Sequence, residues 1–217
     1  MFIGHFAVAF GAKKAAPRAS LGTLILASQF LDFLWPILVL LGVEHATIEP
    51  GNTVVTPLNF TDYPVSHSLL MALIWSAVVG GAYWIVKRSV NIALILAGCV
   101  TSHWVLDALT HRPDLPIAPG VPAMVGLGLW NSFAGTVVVE FALFVAGIWL
   151  YVRTTAARDR IGSIAFWAFA AFLLVSWLGN LFGPPPPDVR AVAWISVLMW
   201  LLIPWAVWID RHRVLRA

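Results

Sequence analysis

The sequence predicts an all-α fold, a polytopic transmembrane bundle of about six helices with both termini cytoplasmic. Apolar residues make up 60% of the chain and charged residues 11%, against about a quarter charged in a soluble domain. Apolar stretches of roughly twenty residues, the length a bilayer requires, recur from end to end. In hydrocarbon the backbone must satisfy itself, and no barrel-type alternation is visible, so helices are the remaining solution. No polar block is long enough to fold separately, and residues 1–217 read as a single membrane domain.

Residues 1–20 read as an N-terminal interfacial or re-entrant segment. The opening "MFIGHFAVAFGAKK" is too short to span, and its charges follow the apolar stretch, unlike those of an ordinary signal peptide. Spans are expected near 21–43, 66–86, 90–110, 127–152, 161–182 and 190–209. Pro36 lies in the first, four residues after Asp32; its ring removes the bond to the Asp32 carbonyl and is expected to kink the helix there. Ser66 or Ser68 can cap the second span. "GPPPPD" (183–188) cannot continue a helix and is expected to form a stiff extended turn. Many of the twelve tryptophans fall near span ends, as aromatic belts require.

Lysine and arginine set the orientation. Eleven lie on one side: Lys13, Lys14, Arg18, Lys87, Arg88, Arg153, Arg158, Arg160, Arg211, Arg213 and Arg216. Only Arg112 and Arg190 fall on the other. Loops 44–65, 111–126 and 183–189 are therefore expected to face outward. The computed pI of 9.4 is a topology signal, and no nucleic acid is expected as a partner. Cys99 is the single cysteine, so no intrachain disulfide exists.

Ionisable residues inside apolar spans are costly unless they pair, face water or hold an ion. His103 and Asp107, in "SHWVLDALTHRPDLP" (102–116), stand four apart on one helical face. They form either a structural pair or part of a metal site in which the carboxylate ligates or orients the imidazole. Asp32, in "LASQFLDFLWP", is either protonated and bonded to a neighbour or functional. His67, in "DYPVSHSLL", is interfacial or joins the same outer group. His5 reaches that group only if residues 1–20 dip into the bundle. Glu140, in "TVVVEFALF", is a candidate ligand, general base or packing group. Asp62, His111, Asp114, Glu44 and His45 fall in outer loops, where charge needs no special explanation. Counted from outer span ends, His103 lies about 10 Å down and Asp32 about 16 Å. A pocket opening outward and narrowing toward the midplane fits these depths.

"SHSLL" (66–70), followed by a span and then "SHWVLDALTHRPDLP", resembles the YdjM-like family of inner-membrane metal-dependent hydrolases. The resemblance covers roughly residues 1–117. It implies His5, Asp32, His67, His103 and Asp107 as metal ligands. Two departures stand out: "QFLDFLWP" supplies Asp32 alone where the family has a "PDxD" pair. "DYPVSHS" also lacks the "HR" that precedes the family's "THS".

The function expected is a membrane-embedded metal-dependent hydrolase with an outward-opening His/Asp site. Its cofactor is a divalent metal; imidazole and carboxylate ligands suit zinc, with iron and manganese as alternatives, and Glu140 or Asp62 would handle the proton. A site in the bilayer favours a lipid or lipid-linked ester as substrate, and the setting is a bacterial inner (plasma) membrane. Two alternatives stand beside it. One is a non-catalytic small subunit or assembly factor with membrane-protein partners. The other is an ion or proton transporter, against which the lack of internal repeats argues.

Overall fold

The computed structural model describes residues 1–216, and it is mostly helical with little sheet. In chain order the helices are α1 (Ile3–Ala15), α2 (Leu21–Ser28), α3 (Phe30–Leu40), α4 (Pro64–His67), α5 (Leu69–Lys87) and α6 (Val90–Thr110). They continue with α7 (Phe133–Thr154), α8 (Arg160–Phe182), α9 (Val189–Val197) and α10 (Leu202–Arg211). Three small antiparallel pairs occupy the connections: β1 (His45–Ile48) with β2 (Leu58–Asp62), β3 (Leu115–Pro116) with β4 (Met124–Val125), and β5 (Thr155–Ala157) with β6 (Arg213–Leu215).

Five segments are long and apolar enough to cross a membrane: α5, α6, α7, α8 and the run Val189–Arg211, which a short 3-10 turn divides into α9 and α10. Apolar side chains such as Val78, Leu94, Val138, Ile164 and Val175 point outward from them. A bilayer accepts that surface, whereas water does not. The build is consistent with an integral membrane protein.

The first expected span differs from expectation. It is a broken pair, α2 and α3, bent by 58°. The break sits at Gln29, and Pro36 lies inside α3 without ending it. Gln29 has left helical geometry, with φ −105° and ψ 8°. The carbonyl of Ser28 beside it accepts a hydrogen bond from a side chain of another helix, His103.

Side-chain caps define half of the α-helix starts. Ser20, Ser68, Ser132, Asp159 and Asp188 each accept an amide N–H from the first turn of the helix that follows. Ser68 therefore caps the second long helix, which leaves Ser66 free for another task. Residues 184–187 of the proline run form no helix, as their chemistry requires.

Helix α1 is packed against the other helices and, from Ile3 to Lys13, not exposed. It lies inside the bundle, with Ile3, His5, Phe6, Phe10 and Lys13 all buried. Phe10 sits in an aromatic cluster with Phe144, Tyr151, Phe166 and Phe169, at centroid separations of 5.7 to 6.3 Å. Its approach to α7 is closest at Gly147, where a Cβ would fall 2.5 Å from the Ala7 carbonyl oxygen. Only a residue without a side chain fits that contact.

Candidate metal centre

Four separate pieces of the chain converge at one end of the bundle. α6 contributes His103 and Asp107, one turn apart on one face. The bend at Gln29 brings in Asp32 from the first turn of α3, and α4 contributes His67 at its last residue. α1 inserts between α6 and α7 and contributes His5. Asp32 and His103, expected at different depths, meet at 3.5 Å beside the bend between α2 and α3.

Four ligand-type atoms face one another. His103 Nε2 lies 3.1 Å from Asp107 Oδ2 and 3.5 Å from Asp32 Oδ1. His67 Nε2 lies 3.5 Å from Asp32 Oδ1 and 3.8 Å from Asp107 Oδ2. An ion with bonds of 2.0–2.2 Å to a tetrahedral set has ligand–ligand edges of about 3.3–3.6 Å. The four His–Asp separations lie about that range, and the groups whose ligand atoms all lie within 4.8 Å of one another are triads that share His103.

Hydrogen-bond polarity points the same way. His103 Nδ1 lies 2.8 Å from the Ser28 carbonyl oxygen, which can only accept, so Nδ1 carries the proton. In the neutral ring, Nε2 then presents a lone pair. That atom is buried and has no hydrogen-bond partner, although two carboxylates stand within 3.5 Å. With that ring neutral, its lone pair and the carboxylate oxygens repel one another unless a proton or a cation lies among them. These buried groups could hold a metal ion, as His5–His103–Asp107 or as Asp32–His67–His103.

His5 has a different relation to the centre from the other four. Its Nε2 lies 3.0 Å from Asp107 Oδ1, the oxygen turned away from His67 and His103. Its ring stacks on His103 with centroids 3.6 Å apart and planes 6° from parallel. The amino group of Met1 also lies 2.7 Å from Asp107 Oδ1. Asp107 thus turns one oxygen to the histidine pair and the other to α1.

Access is one-sided. The His5, His67, His103 and Asp107 side chains are at most 5% exposed, whereas Asp32 is 29% exposed, so any water or substrate arrives on the Asp32 side. Tyr63 is fully buried, its ring 5.4 Å from that of His67. Beyond it lies a cavity of about 260 Å³ lined by Asp62, Tyr63, Asp114 and Met124 among others.

The remaining candidates sit outside the cluster. Glu140 is buried where α1 begins, and its Oε2 accepts the Phe2 backbone N–H at 2.9 Å. Phe2 provides no side-chain cap, so Glu140 supplies from α7 the negative charge that a helix start favours. Asp62 is exposed at the end of β2, 4.0 Å from His45. His111 and Asp114, expected as ordinary loop residues, are paired: Nδ1 of the buried His111 donates to Asp114 Oδ1 at 3.0 Å. Burial holds the His111 imidazole below its ordinary pKa.

Glu44 is the larger surprise. Expected in an outer loop, it is completely buried and holds Ser66, which in turn touches His67. Glu44, Ser66 and the Ser28 carbonyl all bear on the cluster, and none carries a signal in an apolar-span reading. Comparison with known proteins finds no family model, no curated relative and no solved structure that matches the chain.

Proposed function

We propose that this protein is a membrane-embedded metal-dependent hydrolase of the kind the YdjM-like resemblance implies, with zinc as its ion. The observation that supports this reading is the convergence of His67 Nε2 and His103 Nε2 on Asp32 Oδ1 and Asp107 Oδ2, four contacts of 3.1 to 3.8 Å. Two neutral imidazoles with two carboxylates suit zinc. Their two negative charges balance a divalent cation, which a low-dielectric interior demands.

When bound, such an ion lowers the pKa of its water toward neutrality and polarises an ester or phosphoryl oxygen. His5 holds Asp107 through Oδ1 so that Oδ2 stays on the centre. Asp32 is the one member open to the outside, 29% exposed, and its carboxylate would take the proton from an attacking water. Glu140 is already committed to the start of α1, and Asp62 lies beyond Tyr63. Neither is needed for that step. A centre of this kind among apolar helices favours an amphiphilic substrate, a lipid or lipid-linked ester. By the distribution of lysine and arginine the site opens outward from a bacterial inner membrane.

Elemental analysis of the purified protein in detergent tests the reading. The expected result is about one equivalent of metal in wild type, falling below about a tenth in folded His103→Ala and Asp107→Ala variants, since each removes a direct ligand. Absence of metal after zinc, manganese and iron are supplied would refute the metal centre. Turnover of soluble esters alone would refute the lipid assignment.

A further inference from the structure

The two imidazoles facing the centre are fixed by different devices. His103 Nδ1 meets a backbone carbonyl, which can only accept, so its proton position is settled. His67 Nδ1 meets the hydroxyl of Ser66 at 2.7 Å. A hydroxyl can donate or accept, so Ser66 alone leaves His67 with either tautomer. One of them would point an N–H into the centre.

Glu44 removes the ambiguity. Its Oε1 accepts the Ser66 backbone N–H at 2.7 Å, and its Oε2 lies 2.6 Å from Ser66 Oγ. As a carboxylate it has only lone pairs to offer, so the single hydroxyl proton of Ser66 must go to it. The lone pairs of Ser66 Oγ are then what faces His67, and Nδ1 must carry the proton. We propose that Glu44, acting through Ser66, is a positioning residue that holds His67 as the Nδ1–H tautomer and keeps Nε2 available to the ion. This rests on the metal-centre reading above. The burial of Glu44 serves that end, because in water its bond to Ser66 would exchange with solvent and lose its direction.

The arrangement gives an unusual ordering of variants. In Glu44→Gln the amide oxygen still accepts the Ser66 N–H, but the amide nitrogen donates to Ser66 Oγ. The hydroxyl proton, no longer accepted at position 44, then has only His67 Nδ1 to pair with, which moves the ring proton to Nε2 and blocks that ligand. Ser66→Ala deletes the relay but leaves His67 to choose its tautomer when the ion arrives. The isosteric change therefore damages the centre more than the deletion. A purely structural role for Glu44 and Ser66 predicts the opposite order.

The test is ¹⁵N NMR of metal-free, histidine-labelled protein in detergent at about pH 8.5, where an ordinary imidazole is neutral. His67→Gln assigns the signals. The expected wild-type pattern is a protonated Nδ1 with a bare Nε2, kept in Ser66→Thr and reversed in Glu44→Gln. Zinc affinity should fall about 10- to 100-fold in Glu44→Gln, and less in Ser66→Ala. A proton on Nε2 in wild type overturns the relay, as does an unchanged pattern in Glu44→Gln. The expected tautomers without zinc uptake would support the relay and refute the metal reading alone.

Discussion

Gly147 couples the packing of the bundle to the centre, and Gly147→Ala makes the coupling measurable. A Cβ there would lie 2.5 Å from the Ala7 carbonyl oxygen and 2.7 Å from its Cα, where ordinary contact begins at 3.4 Å. Both atoms are backbone, so no side chain can swing aside, and α1 must move by about 0.9 Å. The ring of His5, two residues from Ala7, is already 3.6 Å from His103 and cannot be pressed closer. It must slide instead. Where the slide runs away from Asp107, it takes the His5 Nε2–Asp107 Oδ1 contact from 3.0 Å to about 3.9 Å, beyond hydrogen-bond reach. Overpacking of this kind costs about 1–3 kcal/mol, which for a chain of this size is a fall of about 2–12 °C in Tm. Loss of the group that orients a ligand costs about 10- to 100-fold in metal affinity. The assay pairs tryptophan-fluorescence melting in detergent with zinc competition against a chelator. Gly98→Ala is the control: it lies on the same helix as His103, and its added Cβ meets nothing within 4 Å. It should hold or gain about 0.5–1 kcal/mol from helix propensity. A Gly147→Ala protein that matches Gly98→Ala in both measurements refutes the argument.

Three further outcomes are expected. Asp210→Ala strands Lys13, a buried cation whose Nζ lies 2.6 Å from Asp210 Oδ2; breaking such a pair costs about 3–5 kcal/mol. Melting should drop by about 6–20 °C, and the double variant Lys13→Met/Asp210→Leu should recover the part due to the stranded cation but not the part due to the Leu21 N–H and Tyr151 hydroxyl, which also lose Asp210. Equal damage in single and double variants would show that the pair itself is not what matters. Glu140→Gln keeps an oxygen for the Phe2 N–H and should bind metal and turn over substrate like wild type; a collapse of turnover with metal retained would return Glu140 to the reaction. His111 titrates below its ordinary value because it is buried, so below about pH 6.5 the unfolded chain binds the extra proton first. Stability should therefore fall as pH drops from 7.5 to 5.5. The fall should be shallower in His111→Asn, and parallel melting curves against pH would contradict it.

The long helices were legible because span length and hydropathy are local properties of sequence. The same locality made His103, Asp107 and Asp32 conspicuous, since an ionisable side chain in an apolar run contradicts its surroundings. Their convergence is tertiary. It depends on the break at Gln29, where the residue offers no proline and no glycine to announce it. Pro36 is the obvious breaker by composition, yet α3 continues through it. Glu44 and His111 were read as loop residues because nothing in their neighbours marks burial; both are covered by elements distant in sequence. The Ser28 carbonyl is invisible for a stronger reason. Any residue at position 28 supplies one.

Helix α1 links two buried polar groups. His5 reaches the centre at its start, while Lys13 reaches Asp210 and the Ala19 carbonyl at its end. Eight residues of helix separate them, about 12 Å along the axis. Asp210 also accepts from the Leu21 N–H at 2.7 Å and the Tyr151 hydroxyl at 2.8 Å, joining α1, α2, α7 and α10. A shift of α1 by one residue would turn it about 100° and slide it about 1.5 Å. That would part His5 from Asp107 and Lys13 from Asp210 together, while Gly147 admits no closer approach to α7. The helix is therefore held in rotation, height and distance by contacts at opposite ends. An error at the Lys13 clasp reaches the histidines because the segment between them is a single rigid helix.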